Sequence, residues 1–61
     1  METPTVREVI IRLEHEGFIK VRQKGSHRRY VKGSKKVTVA GNPREHLDPK
    51  TYRSIERQAG W

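Results

Sequence analysis

Apolar side chains recur at Val6, Val9, Ile10 and Leu13, the three-and-four spacing of a single helix face. Ile11 falls off that stripe, which calls for either a wide buried face or a contact with a partner. Ahead of the stripe, Thr5-Val6-Arg7-Glu8 has the order of a capping box. The threonine hydroxyl and the glutamate carboxylate can each take up an amide that the first helical turn leaves without a partner. Behind it, Gly17 suits a left-handed C-cap and Phe18 can fold back on the last turn, so a first helix is expected from about Thr5 to Glu16. At Phe18 the period changes to two. Ile19 and Val21 then fall on one side and Lys20, Arg22 and Lys24 on the other, the pattern of a strand with one dry and one basic face.

Gly25-Ser26 interrupts this strand, and His27 to Lys32 resumes an extended pattern in which Tyr30 and Val31 compete for the inner face. Lys32-Gly33-Ser34-Lys35 makes a second turn, followed by Lys36-Val37-Thr38-Val39, whose β-branched run is a third strand. Three strands joined by short turns predict an antiparallel meander. After the loop residues Gly41-Asn42-Pro43, Asp48 and Pro49 are the residue types favoured at the N-cap and first position of a helix, and Leu47 before them can staple onto Tyr52. Tyr52, Ile55 and Ala59 give this second helix a narrow apolar stripe, and Gly60 closes it. The expected fold is α+β in the order α-β-β-β-α, with a three-stranded antiparallel sheet and both helices packed on its one apolar face. The other face, with its basic side chains, stays wet. No repeat, linker or low-complexity tract divides the chain, so residues 1–61 are read as one domain.

Composition narrows the field. Sixty-one residues leave no room for a second core, and 31% hydrophobic against 34% charged residues lies near the border of chains that bury too little surface to fold. Zero cysteines exclude a disulfide framework, a thiolate zinc site and a cysteine nucleophile. No apolar run approaches the ~18 residues of a membrane span. Met1-Glu2-Thr3-Pro4 also lacks the basic-then-apolar order of a signal peptide, and a cytoplasmic protein is expected.

Charge says more than composition. Fourteen Lys and Arg against seven Asp and Glu give a net +7. From Gly17 through Arg44 there is no acid at all, while Lys20, Arg22, Lys24, Arg28, Arg29, Lys32, Lys35, Lys36 and Arg44 all fall there. A segregated basic block suits phosphate, since each neutralised phosphate releases counterions. It therefore points to nucleic acid ahead of the plainer alternatives, a solvated surface or an acidic protein partner. Within the block, Gly25 would let backbone approach a phosphate and Ser26 offers a hydroxyl or an amide, although a simple hairpin turn accounts for both equally well. His15 is explained by its place in the last turn of the first helix. His46 reads as a loop residue ahead of the alternative, a general acid reaching the same phosphate, and Glu45 beside it is too little for a metal site. Tyr30 can stack on a base but more often such a residue packs in a core, and Trp61 beyond Gly60 is either frayed or an anchor for a partner.

Read in order, Gln23-Lys24-Gly25-Ser26-His27, Tyr30, Val37-Thr38-Val39, and a Leu47-x-Pro49 helix entry running to Arg53-Ser54-Ile55-x-Arg57-Gln58-Ala59-Gly60 resemble the HicA toxin family over nearly the whole chain. The resemblance implies a fold like that of the double-stranded RNA-binding domain. It also implies a toxin that cleaves mRNA and blocks translation, a cognate HicB-type antitoxin as partner, and no cofactor or metal. The histidine of the glycine-serine-histidine motif, which the family needs for cleavage, corresponds to His27. Many members carry a proline and a further histidine after the third strand, where this chain has Ala40-Gly41-Asn42, so the resemblance supplies one catalytic residue only.

Metal-free RNA cleavage needs a base for the 2′-hydroxyl proton and cations for the charge that develops on phosphorus. An ordinary imidazole, with a pKa near ~6.5, is largely neutral in the cell and suits the first task. Arg22, Lys24 and Arg28 lie beside the Gly25-Ser26 break, and with Arg29 and Lys36 they are the expected RNA contacts. Arg28 and Arg29 point to opposite faces, so only one of them can serve. A non-catalytic RNA-binding module of the same fold is the alternative, and Glu8, Glu14 and Glu16 on the first helix weigh against it.

Overall fold

A computed structural model of the chain describes residues 2–61; Met1, the first residue of the single unit read from the sequence, lies outside the described residues. The order is α1 (Val6–His15), β1 (Ile19–Lys24), β2 (His27–Lys32), β3 (Lys35–Ala40) and α2 (Pro49–Ala59), as the periodicity predicts. The strands form one antiparallel meander in the order β1-β2-β3.

Both helices start with their orphan amides accounted for. In α1, the N–H of Glu8 donates to Thr5 Oγ1 at 3.1 Å and Glu8 Oε1 accepts from the Thr5 N–H at 2.9 Å, which completes the capping box. The N–H groups of Val6 and Arg7 donate to the carbonyls of Glu45 and Pro43, so the loop before α2 is stitched to the start of α1. In α2, Pro49 has no N–H to satisfy and Asp48 Oδ2 accepts from Lys50 and Thr51 at 3.0 and 3.4 Å. The two helices also end alike. Gly17 (φ 94°) and Gly60 (φ 76°) are left-handed, and the amides of Phe18 and Trp61 reach back to the carbonyls of Leu13 and Glu56.

Val6, Val9 and Leu13 from α1, Ile55 and Ala59 from α2, Tyr30, Val37 and Val39 from the sheet, with Phe18 and Leu47, make the core, and among the described residues no charged side chain is buried with them. Tyr30 and Val37 are register partners and Val39 is two residues on, so one sheet face meets both helices. Tyr30 takes the inner position and Val31 turns outward. Leu47 and Tyr52 join the same cluster, the one buried and the other packed against it. The helices crowd toward β3, and Gln58 of α2 accepts the outward N–H of Thr38 through Oε1 at 3.1 Å, occupying that strand's free edge.

β1 departs from the sequence expectation. Ile19 and Val21 do not form a dry face: they are 68% and 58% exposed, and every residue of the strand is exposed. The helices pack on the β3 side of the sheet, and a bulge between Lys20 and Arg22 turns Ile19 to the open face. Lys24 and Arg22 pair with His27 and Arg29, but beyond the extra residue Val21 the register slips, so that Lys20 faces Tyr30 and Ile19 faces Val31. Strict alternation would have placed Val21 against Tyr30. Trp61 also has a definite place. Its indole N–H donates to Glu16 Oε1 at 2.8 Å and the Arg12 guanidinium lies 3.9 Å from its ring centroid, so it is docked on α1 and not frayed.

Candidate nucleic-acid interface

Because Tyr30, Val37 and Val39 face the helices, the residues alternating with them face solvent. Register then orders the open face into rows across the sheet. Lys24, His27 and Ala40 form the first row, Arg22, Arg29 and Thr38 the second, and Ile19, Val31 and Lys36 the third.

The first two rows surround a shallow depression of about 170 Å³ lined by Arg22, Lys24, His27, Arg28, Arg29 and Thr38. A more open hollow beside it runs over Lys24, Gly25, Ser26 and His27. His27 opens β2, is exposed, and shares both hollows; among the described residues no hydrogen bond engages its ring. The turn that presents it is a two-residue hairpin with φ +60° at Gly25 and a negative φ at Ser26, the type II′ geometry that suits the right-handed twist of the flanking strands. Gly25 is thus required by backbone conformation, and a Cβ there would meet nothing within 4 Å. The Ser26 carbonyl accepts from the Gly41 N–H at 3.2 Å, fixing the turn to the exit of β3.

The two adjacent arginines separate as alternation requires. Arg28 is half-buried at the rim, and its Nη1 donates to the carbonyls of Ser26 and Gly41, both at 3.1 Å, a clamp between the turn and the β3 exit. Arg29 is exposed in the second row with Arg22. The ion pairs among the described residues are Arg12 with Glu16 and His46 with Glu2, neither on the sheet, so Arg22, Lys24 and Arg29 keep their charge for a ligand. Lys36 shares the face but lies in the third row, outside the depression. Thr38 was not singled out by sequence, yet the two-residue turn at Gly33-Ser34 fixes Lys32 opposite Lys35 and so Arg29 opposite Thr38. That count was the available signal.

The remaining histidines are elsewhere. His46 Nδ1 meets the Thr3 carbonyl and Nε2 lies 3.6 Å from Glu2, in a short bridge between Thr5 and His46. His15 ends α1 and is exposed. Among the described residues no three His, Cys, Asp or Glu side chains converge, and no helix is long and apolar enough to cross a membrane. Tyr30 is 2% exposed and unavailable for stacking, its phenol pushed up by burial.

The sheet, backed by two helices, thus carries an exposed imidazole in a basic depression. No curated protein and no solved structure matches the chain. A family model does match, over residues 6–61 and so from the first residue of α1 through Trp61, and by it the chain belongs to the HicA toxin family, the toxins of bacterial toxin–antitoxin systems.

Proposed function

We propose that this toxin is a metal-independent endoribonuclease that cuts mRNA in the cytoplasm, blocks translation, and is held inactive by a cognate HicB-type antitoxin. The observation that carries the reading is the His27 ring, unengaged and exposed among Arg22, Lys24 and Arg29. His27 takes the proton of a ribose 2′-hydroxyl. The 2′-oxygen attacks the adjacent phosphorus, the bond to the 5′-oxygen breaks, and the products are a 2′,3′-cyclic phosphate and a 5′-hydroxyl. Arg22, Arg29 and Lys24 hold the phosphate and stabilise the charge on its oxygens as the fifth bond forms. Thr38, in the row of the two arginines, can donate its hydroxyl to the same oxygens. The Gly25-Ser26 turn holds the imidazole in place, while Arg28 fixes the turn. The proton for the leaving oxygen comes from His27 once charged or from water.

Purified protein should cut single-stranded RNA in the presence of a chelator. His27→Ala should slow the reaction by about 10²–10⁴-fold, with the circular dichroism spectrum and RNA affinity retained. If the variant cuts as fast as the parent, His27 is not the base. If RNA is bound and never cut by either protein, the chain is a binding module.

A further inference from the structure

We propose that Ile19 and Val31 form a platform for one unpaired nucleobase of the bound RNA, an inference that rests on the RNA-cleaving reading above and names what sets its substrate preference. The bulge at Val21 turns Ile19 to the open face, where it pairs with Val31. Ile19 is 68% exposed although the chain has few large apolar residues to spend outside its core. Neither helix covers this face.

The pair does not lie just anywhere. It forms the third row, one step from the Arg22 and Arg29 row, and two residues along a strand is ~6.7 Å, the reach from a phosphate across its ribose to its base. The face is therefore cationic at one end and apolar at the next, and a nucleotide has the same two-ended chemistry in the same order. A phosphate held by Arg22 and Arg29 sets its base down on Ile19 and Val31. Lys36, beside Val31 in that row, can donate to acceptors on the base edge, which accounts for a basic residue that the depression leaves out. The base must be unstacked to lie flat there, so the ligand is single-stranded RNA. A second copy of this chain pairing edge to edge through β1 is disfavoured, since it would set Lys20, Arg22 and Lys24 against themselves.

The test is a binding cycle with 2′-O-methyl RNA, which cannot be cut by 2′-hydroxyl attack. A short single-stranded oligonucleotide is compared with a set in which each position in turn is abasic, against the parent protein and the Ile19→Thr, Val31→Thr double variant. Both positions are open or half-open and threonine keeps strand propensity, so the fold should persist, with thermal melting as the check. For the parent, one abasic position should weaken binding about tenfold, the effect of uncovering some tens of Å² of apolar surface. The variant should bind intact RNA about tenfold less tightly and ignore that same abasic position. Equal losses for both proteins overturn the platform and leave the RNA reading standing. Loss of all RNA binding by the parent at low salt overturns both. If the variant binds every RNA as the parent does but loses affinity for an alternating glutamate–valine octapeptide, the pair serves an acidic protein strand and the platform is overturned.

Discussion

The two ends of the sheet begin with the same words. Lys24-Gly25-Ser26-His27 and Lys32-Gly33-Ser34-Lys35 are both two-residue hairpins, with φ +60° and +59° at the glycines and open space where a Cβ would project. Beyond the turns they part. At the Gly33 end the cations lean on the helix ends: Lys32 passes Gly17 with its amine 5.8 Å from the Phe18 ring centre, and the Lys35 amine lies 2.9 Å from the point where a Cβ at Gly60 would sit. Cations there offset the negative ends of two helix dipoles. At the Gly25 end the neighbouring helix terminus is instead the start of α1, whose Val6 Cγ2 lies 3.4 Å from the point where a Cβ at Gly41 would sit, and Arg22, Lys24 and Arg29 face water around an imidazole. A glycine-serine turn is thus not in itself a site. What distinguishes the two ends is whether neighbouring charge is already spent.

Exchange of side chains between the ends should expose that difference. The largest effect is expected from the residue after each turn: His27→Ala slows cleavage by about 10²–10⁴-fold, whereas Lys35→Ala leaves the rate unchanged and lowers the melting temperature by the equivalent of about 0.3–1 kcal/mol. Next come the glycines. Gly25→Ala and Gly33→Ala should each cost about 1–3 kcal/mol, because both demand a positive φ. Only Gly25→Ala should also slow cleavage, since only that turn sets an imidazole; equal kinetics for the two variants would erase the distinction.

The arginines sharpen it further. Arg29→Ala should reduce RNA affinity and lower the slope of log affinity against log salt by about 1, with little effect on stability. Arg28→Ala should do the reverse, costing about 1–2 kcal/mol through two lost carbonyl contacts while leaving the salt slope nearly intact. A matched fall in slope for both would place Arg28 on the RNA.

The smallest effect belongs to the structural end. The hydrogen bond from the Trp61 indole holds the Glu16 carboxyl below its ordinary range, aided by Arg12 and Lys32. A carboxyl lowered on folding stabilises the fold above its unfolded value and loses that contribution as acid carries the pH down through its folded one. Trp61 fluorescence should therefore change on acidification below about pH 4.5, the ordinary glutamate value. Glu16→Gln should flatten that change, and cleavage should be indifferent to the substitution.

Much of this was legible because it is local. Capping by Thr5 and Asp48, the left-handed glycines Gly17 and Gly60, and the inward Val37 and Val39 of β3 each depend on residues close along the chain, and each was found where the pattern placed it. The exposure of Ile19 was not legible, since a bulge depends on which strand lies alongside and nothing in Lys20-Val21-Arg22 marks it. The partner of Trp61 lies 45 residues away and was equally hidden. Charge alone gathered Arg22, Lys24 and Arg29, but the separation of Arg28 into a clamp needed the position of the Gly41 carbonyl. The singling out of His27 came from family resemblance, because an isolated histidine at a strand start carries no signature of its own.

One residue of slack in an edge strand has an outsized reach. With Val21 inserted, the open face is divided into an ionic half and a greasy half; with strict alternation Lys20 would stand where Ile19 does and Val31 would be left between Lys20 and Lys36. Length changes in this stretch, more than point substitutions, are thus the means by which descendants of this chain could redraw what the plane will hold.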